Sequence, residues 1–165
     1  MSRGLGDVYK RQILISFSTA SSNAALPLTI EAVEEKDGVS QSVASLTLPL
    51  GATINMNGTA LLEGVAAIFI AQAYGIDLTF GQQVIVALTA VLAAVGSAGI
   101  PMAGIVMMSV VLSAVGLPLE GIGLVIGVDR IADMMRTSVN VFGDTCVAVM
   151  VAKDEGERLD IDLRR

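Results

Sequence analysis

Five residues near the end of the chain are spaced for chemistry: Asp129, Asp133, Arg136, Asn140 and Asp144. Their separations of four, three, four and four, at about 100° per residue, confine them to a sector of roughly 80° on one helix. The surrounding sequence from Ile122 to Ala152 is largely apolar. Ionisable groups in an apolar membrane helix are costly unless they face a polar cavity or one another, so the stripe points to a substrate or ion path. The simpler alternative is an interior salt-bridge ladder built on Asp133 and Arg136 at i,i+3, which needs neither Asn140 nor Asp144. Thr137 lies just beside the stripe. Arg130 points about 100° from Asp129 and is able to snorkel or to pair elsewhere. Arg136 offers a planar fork matched to a carboxylate, Asp133 can hold an ammonium group, and Asn140 can serve either. Helix N-termini near Asn23 and Ile100 would add N–H groups and positive dipole ends for a second carboxylate. An acidic amino acid has that set of groups.

A second constellation lies in Gly51-Ala52-Thr53-Ile54-Asn55-Met56-Asn57-Gly58-Thr59, residues poorly suited to the middle of a spanning helix. A broken helix is expected there. Carbonyl oxygens freed by unwinding can ligate a hard cation: Gly51, Asn55 and Asn140 would offer carbonyls and Asp144 a carboxylate, a reasonable sodium cage. The alternative is a kink packed against a neighbour. Glu63 follows in the apolar run without a cation nearby in sequence. Burial there would favour proton uptake; a position facing a polar loop at the membrane edge is the other reading.

The elements that must position these groups are apolar. The chain of 165 residues is 53% hydrophobic and 16% charged, and its mean hydropathy is strongly positive, which places it in the membrane class. Gly38 to Leu62 and Leu78 to Leu119 contain no Asp, Glu, Lys or Arg. With about 20 apolar residues needed to span a bilayer, the first stretch holds one span. The second holds two spans or a helical hairpin that enters and returns. Its arms fall near Thr79 to Val95 and Pro101 to Val115, joined by Gly96-Ser97-Ala98-Gly99-Ile100. An earlier small-polar cluster, Ser16 to Asn23 before Leu26-Pro27, reads as the tip of a first hairpin whose leading arm is mostly absent. Paired Gly/Pro-interrupted hydrophobic segments point to a transporter site built from inverted repeats, although ordinary tight turns between full spans give a similar pattern.

The net charge of −6 owes much to the loop Glu31 to Asp37 and the tail from Lys153, neither of which suits nucleic acid. Cys146 is the lone cysteine and reads as a small packing residue. Asp7-Val8-Tyr9-Lys10-Arg11-Gln12 is similar to the translation of a sequencing-library adapter, so residues 1–12 are set aside and the natural sequence is expected to start near Ile13, inside a longer gene. Residues 13–153 then form a partial transport domain and 154–165 a polar tail.

Four ordered motifs carry a resemblance from about Phe17 to Lys153: Ser21-Ser22-Asn23-Ala24-Ala25-Leu26-Pro27; Leu48 to Thr59; Gly96-Ser97-Ala98-Gly99-Ile100-Pro101; and Asp129 to Asp144. In these the chain resembles the dicarboxylate/amino acid:cation symporters, the family of glutamate and aspartate transporters. The resemblance implies an all-α membrane protein with an elevator-type core: two re-entrant hairpins, a broken transmembrane helix and a polar-striped last helix. By motif position, Ser22, Thr59, Ile100, Gly104, Asp133, Arg136, Thr137 and Asn140 would contact the amino acid. Gly51, Asn55, Asn140 and Asp144 would form one sodium site, and carbonyls of Thr53, Ala94, Val95 and Ser97 a second. Glu63 would carry a proton. The implied activity is symport of L-glutamate or L-aspartate with sodium, with no covalent chemistry and no cofactor. The setting would be a multi-pass carrier in the plasma or inner membrane, trimeric through an N-terminal scaffold.

Three departures stand out. Asn57 replaces an aspartate that helps relatives bind a third sodium. Ala20 and Met134 occupy the two positions where relatives carry an arginine near Asp133, and Met102 replaces the usual glycine after the second-tip proline. Asp133 together with Arg136 favours an acidic amino acid over a C4-dicarboxylate. An ion channel, or a fragment inactive alone, are the rival expectations.

Overall fold

The computed structural model describes residues 5–97 and 103–159, and among these it is all helical, with no strand. Residues Ala98 to Met102, with the second tip's Ile100, lie outside the described residues. The helices are α1 (Leu5–Thr19), α2 (Ser22–Lys36), α3 (Gln41–Ile54), α4 (Asn57–Ala73), α5 (Phe80–Gly96), α6 (Ala103–Ala114), α7 (Ile122–Ile126) and α8 (Asp129–Asp154). They fall into two compact units: residues up to Asn55 together with those from Thr137 on, and Met56–Arg136.

In the first unit α1 packs on α2, and α2 on α3. The α1–α2 tip is only Ala20-Ser21, shorter than the cluster expected from sequence, because Ser21 caps α2 at once by accepting from the Ala24 N–H. Pro27 therefore sits inside α2, not at its start. Val33, Val39, Ala44, Leu48, Ala148 and Ala152 form the apolar core. Gln12, although set aside on sequence grounds, is buried and donates to Thr29 and Thr145, at 3.2 and 2.9 Å.

Ala20 has φ 50° at the end of α1. A side chain in this left-handed region costs about 1–2 kcal/mol, which glycine avoids. Ala20→Gly is expected to raise the thermal unfolding midpoint of the complete protein, by the equivalent of up to about 1 kcal/mol after glycine's added chain entropy. Ala20→Val should lower it.

At the other end of this unit, the Glu157 carboxylate accepts from the Ser40 hydroxyl and, at 2.9 Å, from its backbone N–H. Ser40 is the N-cap of α3. These bonds hold the Glu157 carboxyl below its ordinary value. The unfolded chain takes up that proton near pH 4.3, whereas the folded chain resists it to lower pH. The contact's contribution is thus complete above the unfolded value and lost as pH falls through the folded one. Amide protection at the start of α3, taken relative to the intrinsic exchange rate at each pH, should fall over that acid range, and Glu157→Gln should remove much of this pH dependence.

In the second unit α4, α5 and α6 pack on one another. The core is rich in small residues: Ala66, Ala67, Ala71, Ala90 and Ala93 pack with Ile70, Val86, Met108, Val111, Leu112 and Leu117. Small residues let helices approach closely where lipid removes the hydrophobic drive between them. Gly121 shows the same closeness, since a Cβ there would lie 2.3 Å from Ile70 Cγ2. Thr79 and Gln82 form a capping box that starts α5.

Among the described residues only the run Gln41–Ala73 is long and apolar enough to cross a membrane. It is interrupted where sequence placed a break, but the break is narrower, confined to Asn55 and Met56. Helices α5 and α6 are about 25 and 18 Å long at 1.5 Å per residue, each short of a hydrocarbon core of about 30 Å. In the last apolar segment Gly127 and Val128 separate α7 from α8.

Candidate functional site

Helix α8 carries all five residues of the polar stripe. Asp129 lies in its first turn and Lys153 in its last, each of the sign the helix dipole favours. The helix is inverted relative to a soluble one. Its buried residues include Thr137, Asn140, Asp144 and Thr145, whereas Ile131, Met135, Phe142 and Met150 are each more than half exposed. Polar groups inside and large apolar side chains outside suit a lipid or protein surround, and water poorly. The same holds for Phe80, Leu88 and Leu92 on α5.

In the first unit the structure brings together three of the residues assigned to sodium. Asn55 Nδ2 donates to Asp144 Oδ1 at 2.9 Å. Gly51 lies against the same carboxylate, so close that a Cβ there would stand 2.7 Å from Asp144 Oδ1. Asn55 ends α3 with φ −86° and ψ 69°, while its N–H still bonds the Gly51 carbonyl at 2.8 Å. The break is therefore a turning of the chain at Asn55-Met56 that leaves the preceding turn intact. Asp144 and Asn140 are buried. Asp144 supplies the carboxylate of this set; Asn55 turns its NH2 group to it, and the Gly51 carbonyl accepts from the Asn55 N–H. Thr53 is exposed, its hydroxyl spent on the Leu50 carbonyl. Ser22 opens α2 directly after its cap, and Thr137 is buried on α8.

In the second unit the centre is Arg136. Its Nε donates to Asp133 Oδ1 at 2.9 Å, with side-chain exposures of 13% and 26%. Arg130 Nη1 approaches the other oxygen of Asp133 at 4.0 Å from an exposed position. Met134 and Ala20 supply no arginine, yet Asp133 is held by one cation and approached by another. Gly104, in the first turn of α6, faces the guanidinium. Thr59 is buried. Glu63 is fully buried in α4, and neither carboxylate oxygen has a hydrogen-bond partner among the described residues. Asn57 is exposed in the first turn of α4. The carbonyl of Ala94 already accepts from the Ser97 hydroxyl and N–H, at 2.6 and 3.1 Å, while Val95 is exposed.

One contact was not foreseen. Gly58 abuts the main chain of Arg136: a Cβ at Gly58 would lie 2.3 Å from the Arg136 carbonyl oxygen. A glycine inside the first turn of a buried helix is a signal of close approach, but sequence does not name the partner.

The model of the sodium:dicarboxylate symporter family matches residues 8–154. An excitatory amino acid transporter of Caenorhabditis elegans is 53% identical over 138 residues, 84% of this chain and 27% of that protein. Excitatory amino acid transporter 3 of Mus musculus is 49% identical over 152 residues, 90% of this chain and 29% of its own length. Excitatory amino acid transporter 1 of Homo sapiens is 46% identical over 154 residues, 92% and 28% of the two chains. The chain spans somewhat more than a quarter of the curated relatives it matches.

Proposed function

Because the chain belongs to the sodium:dicarboxylate symporter family, we propose that it is part of a multi-pass plasma- or inner-membrane carrier that takes up L-glutamate or L-aspartate with sodium. The observation that carries this reading is the Asp133–Arg136 pair, two partly shielded opposite charges on α8. Such a pair suits a ligand that brings its own ammonium and an extra carboxylate. The ammonium replaces Arg136 at Asp133, and the freed guanidinium receives the side-chain carboxylate.

Ser22, Thr59, Ile100, Gly104, Thr137 and Asn140 complete the substrate contacts by their place in the family's motifs. Gly51, Asn55, Asn140 and Asp144 take one sodium ion, and Thr53, Ala94, Val95 and Ser97 a second through their carbonyls. Asn57 lacks the charge for a third. Glu63 carries a proton: a fully enclosed carboxyl without a hydrogen-bond partner among the described residues is suited to moving through apolar surroundings in neutral form. The two short arms α5 and α6 act as a re-entrant hairpin, and α2, with the stub of its leading arm from Ile13, as its counterpart, in an elevator-type core of residues 13–153. The complete carrier is a trimer.

Competition against labelled aspartate, with the complete protein in sodium-loaded buffer, tests the substrate class. Unlabelled glutamate or aspartate should displace it at far lower concentration than succinate or alanine. Succinate displacing it more strongly would turn the reading toward a C4-dicarboxylate carrier.

A further inference from the structure

Arg136 is confined from two directions by residues without side chains. At its main chain, an added Cβ on Gly58 would lie 2.3 Å from the carbonyl oxygen and 2.9 Å from Cα. At its head, a Cβ on Gly104 would lie 2.4 Å from Nη1 and 2.8 Å from Nη2. Neither approach leaves room for a methyl group. With Nε held by Asp133 at 2.9 Å, the residue is fixed at its base, along its stem and across its fork. By contrast, a Cβ on Gly64, in the same helix as Gly58, would have nothing within 4 Å.

From this geometry we infer that Gly58 and Gly104 are positioning residues for Arg136, and that together they set the carrier's preference for a second carboxylate. This rests on the acidic amino acid reading above. A bidentate guanidinium–carboxylate pair is directional, so a fork shifted by about 1 Å loses much of its value. Gly58 sets how far the Arg136 main chain stands from α4. Gly104 sets where the fork ends, by leaving space that any side chain would take. The two glycines differ in how the neighbour can respond. A methyl on Gly104 meets the far end of a flexible side chain, which can swing away without disturbing the fold. A methyl on Gly58 meets backbone, which must move as a whole.

The test is a set of variants of the complete carrier in proteoliposomes, with the KM for aspartate and the unfolding midpoint measured on each. Gly104→Ala should raise KM about tenfold or more, with the midpoint unchanged. Gly58→Ala should raise KM and lower the midpoint, and Gly64→Ala should change neither in that direction. The decisive arm is Gly104→Ala in an Arg136→Gln background, where it should add much less than it does alone, only what its own substrate contact contributes, because the residue it positions is gone. Full additivity of the two substitutions, or an unchanged KM in Gly104→Ala, would overturn the inference. If Arg136→Gln alone leaves aspartate uptake intact, the acidic amino acid reading fails as well. A loss in Arg136→Gln without one in Gly104→Ala sinks the positioning role alone.

Discussion

Arg136→Gln in the complete carrier is expected to reduce sodium-driven uptake of aspartate roughly 100-fold or more, the largest effect of any single substitution considered for substrate. Removing one member of a shielded, hydrogen-bonded charge pair costs about 2–5 kcal/mol, of which part is the penalty on the member left behind. Here that member is Asp133, which Arg130 approaches at 4.0 Å from an exposed stem. An exposed pair at that distance contributes at most about 1 kcal/mol, so Arg130 cannot stand in. Glutamine keeps much of the length but offers one amide where the guanidinium offers a charged fork. Asp133 still attracts an ammonium group, so neutral amino acids should lose less than acidic ones. Initial uptake rates of aspartate and of alanine, side by side, measure both effects.

The second large effect concerns the cation. Asp144→Asn preserves the shape of the side chain that meets Asn55 and Gly51 but removes the one carboxylate in that cluster. With a single formal charge among otherwise neutral oxygen donors, most of the attraction for sodium is lost. Half-saturation by sodium should rise by about two orders of magnitude, a cost of roughly 3 kcal/mol. Linkage then requires aspartate to bind more weakly at fixed sodium, and raising sodium should recover part of that loss. Gly51→Ala offers an independent check, because the new methyl must push the Asp144 carboxylate aside. An unchanged sodium dependence in Asp144→Asn would remove this cluster from the coupling path.

The stripe on α8 was legible because a helix has one period, and four spacings of three or four residues specify a face whatever the surroundings. The burial of Asn140 and Asp144 under an exposed apolar face at Met135 and Phe142 follows from that face being polar in an apolar chain. The break near Asn55 was legible from composition, since Gly, Asn and Thr are weak helix formers there. Its extent was not, because Asn57 to Thr59 are helical despite their propensities, an outcome that tertiary packing decides. Gly58 against Arg136 was out of reach for a different reason. A glycine announces that something comes close, and residues 78 positions apart in sequence carry no local trace of which partner it is.

On the proposed function, α8 offers charge for an amino acid bearing an extra carboxylate, and sodium is bound with it. Titration of the purified complete protein with aspartate, in sodium buffer and in choline buffer of equal ionic strength, tests it most directly. Binding should be tight in sodium, at least about 100-fold weaker in choline, and weaker for succinate and alanine in both. Equal aspartate affinity in the two buffers, or succinate binding more tightly than aspartate, would contradict it.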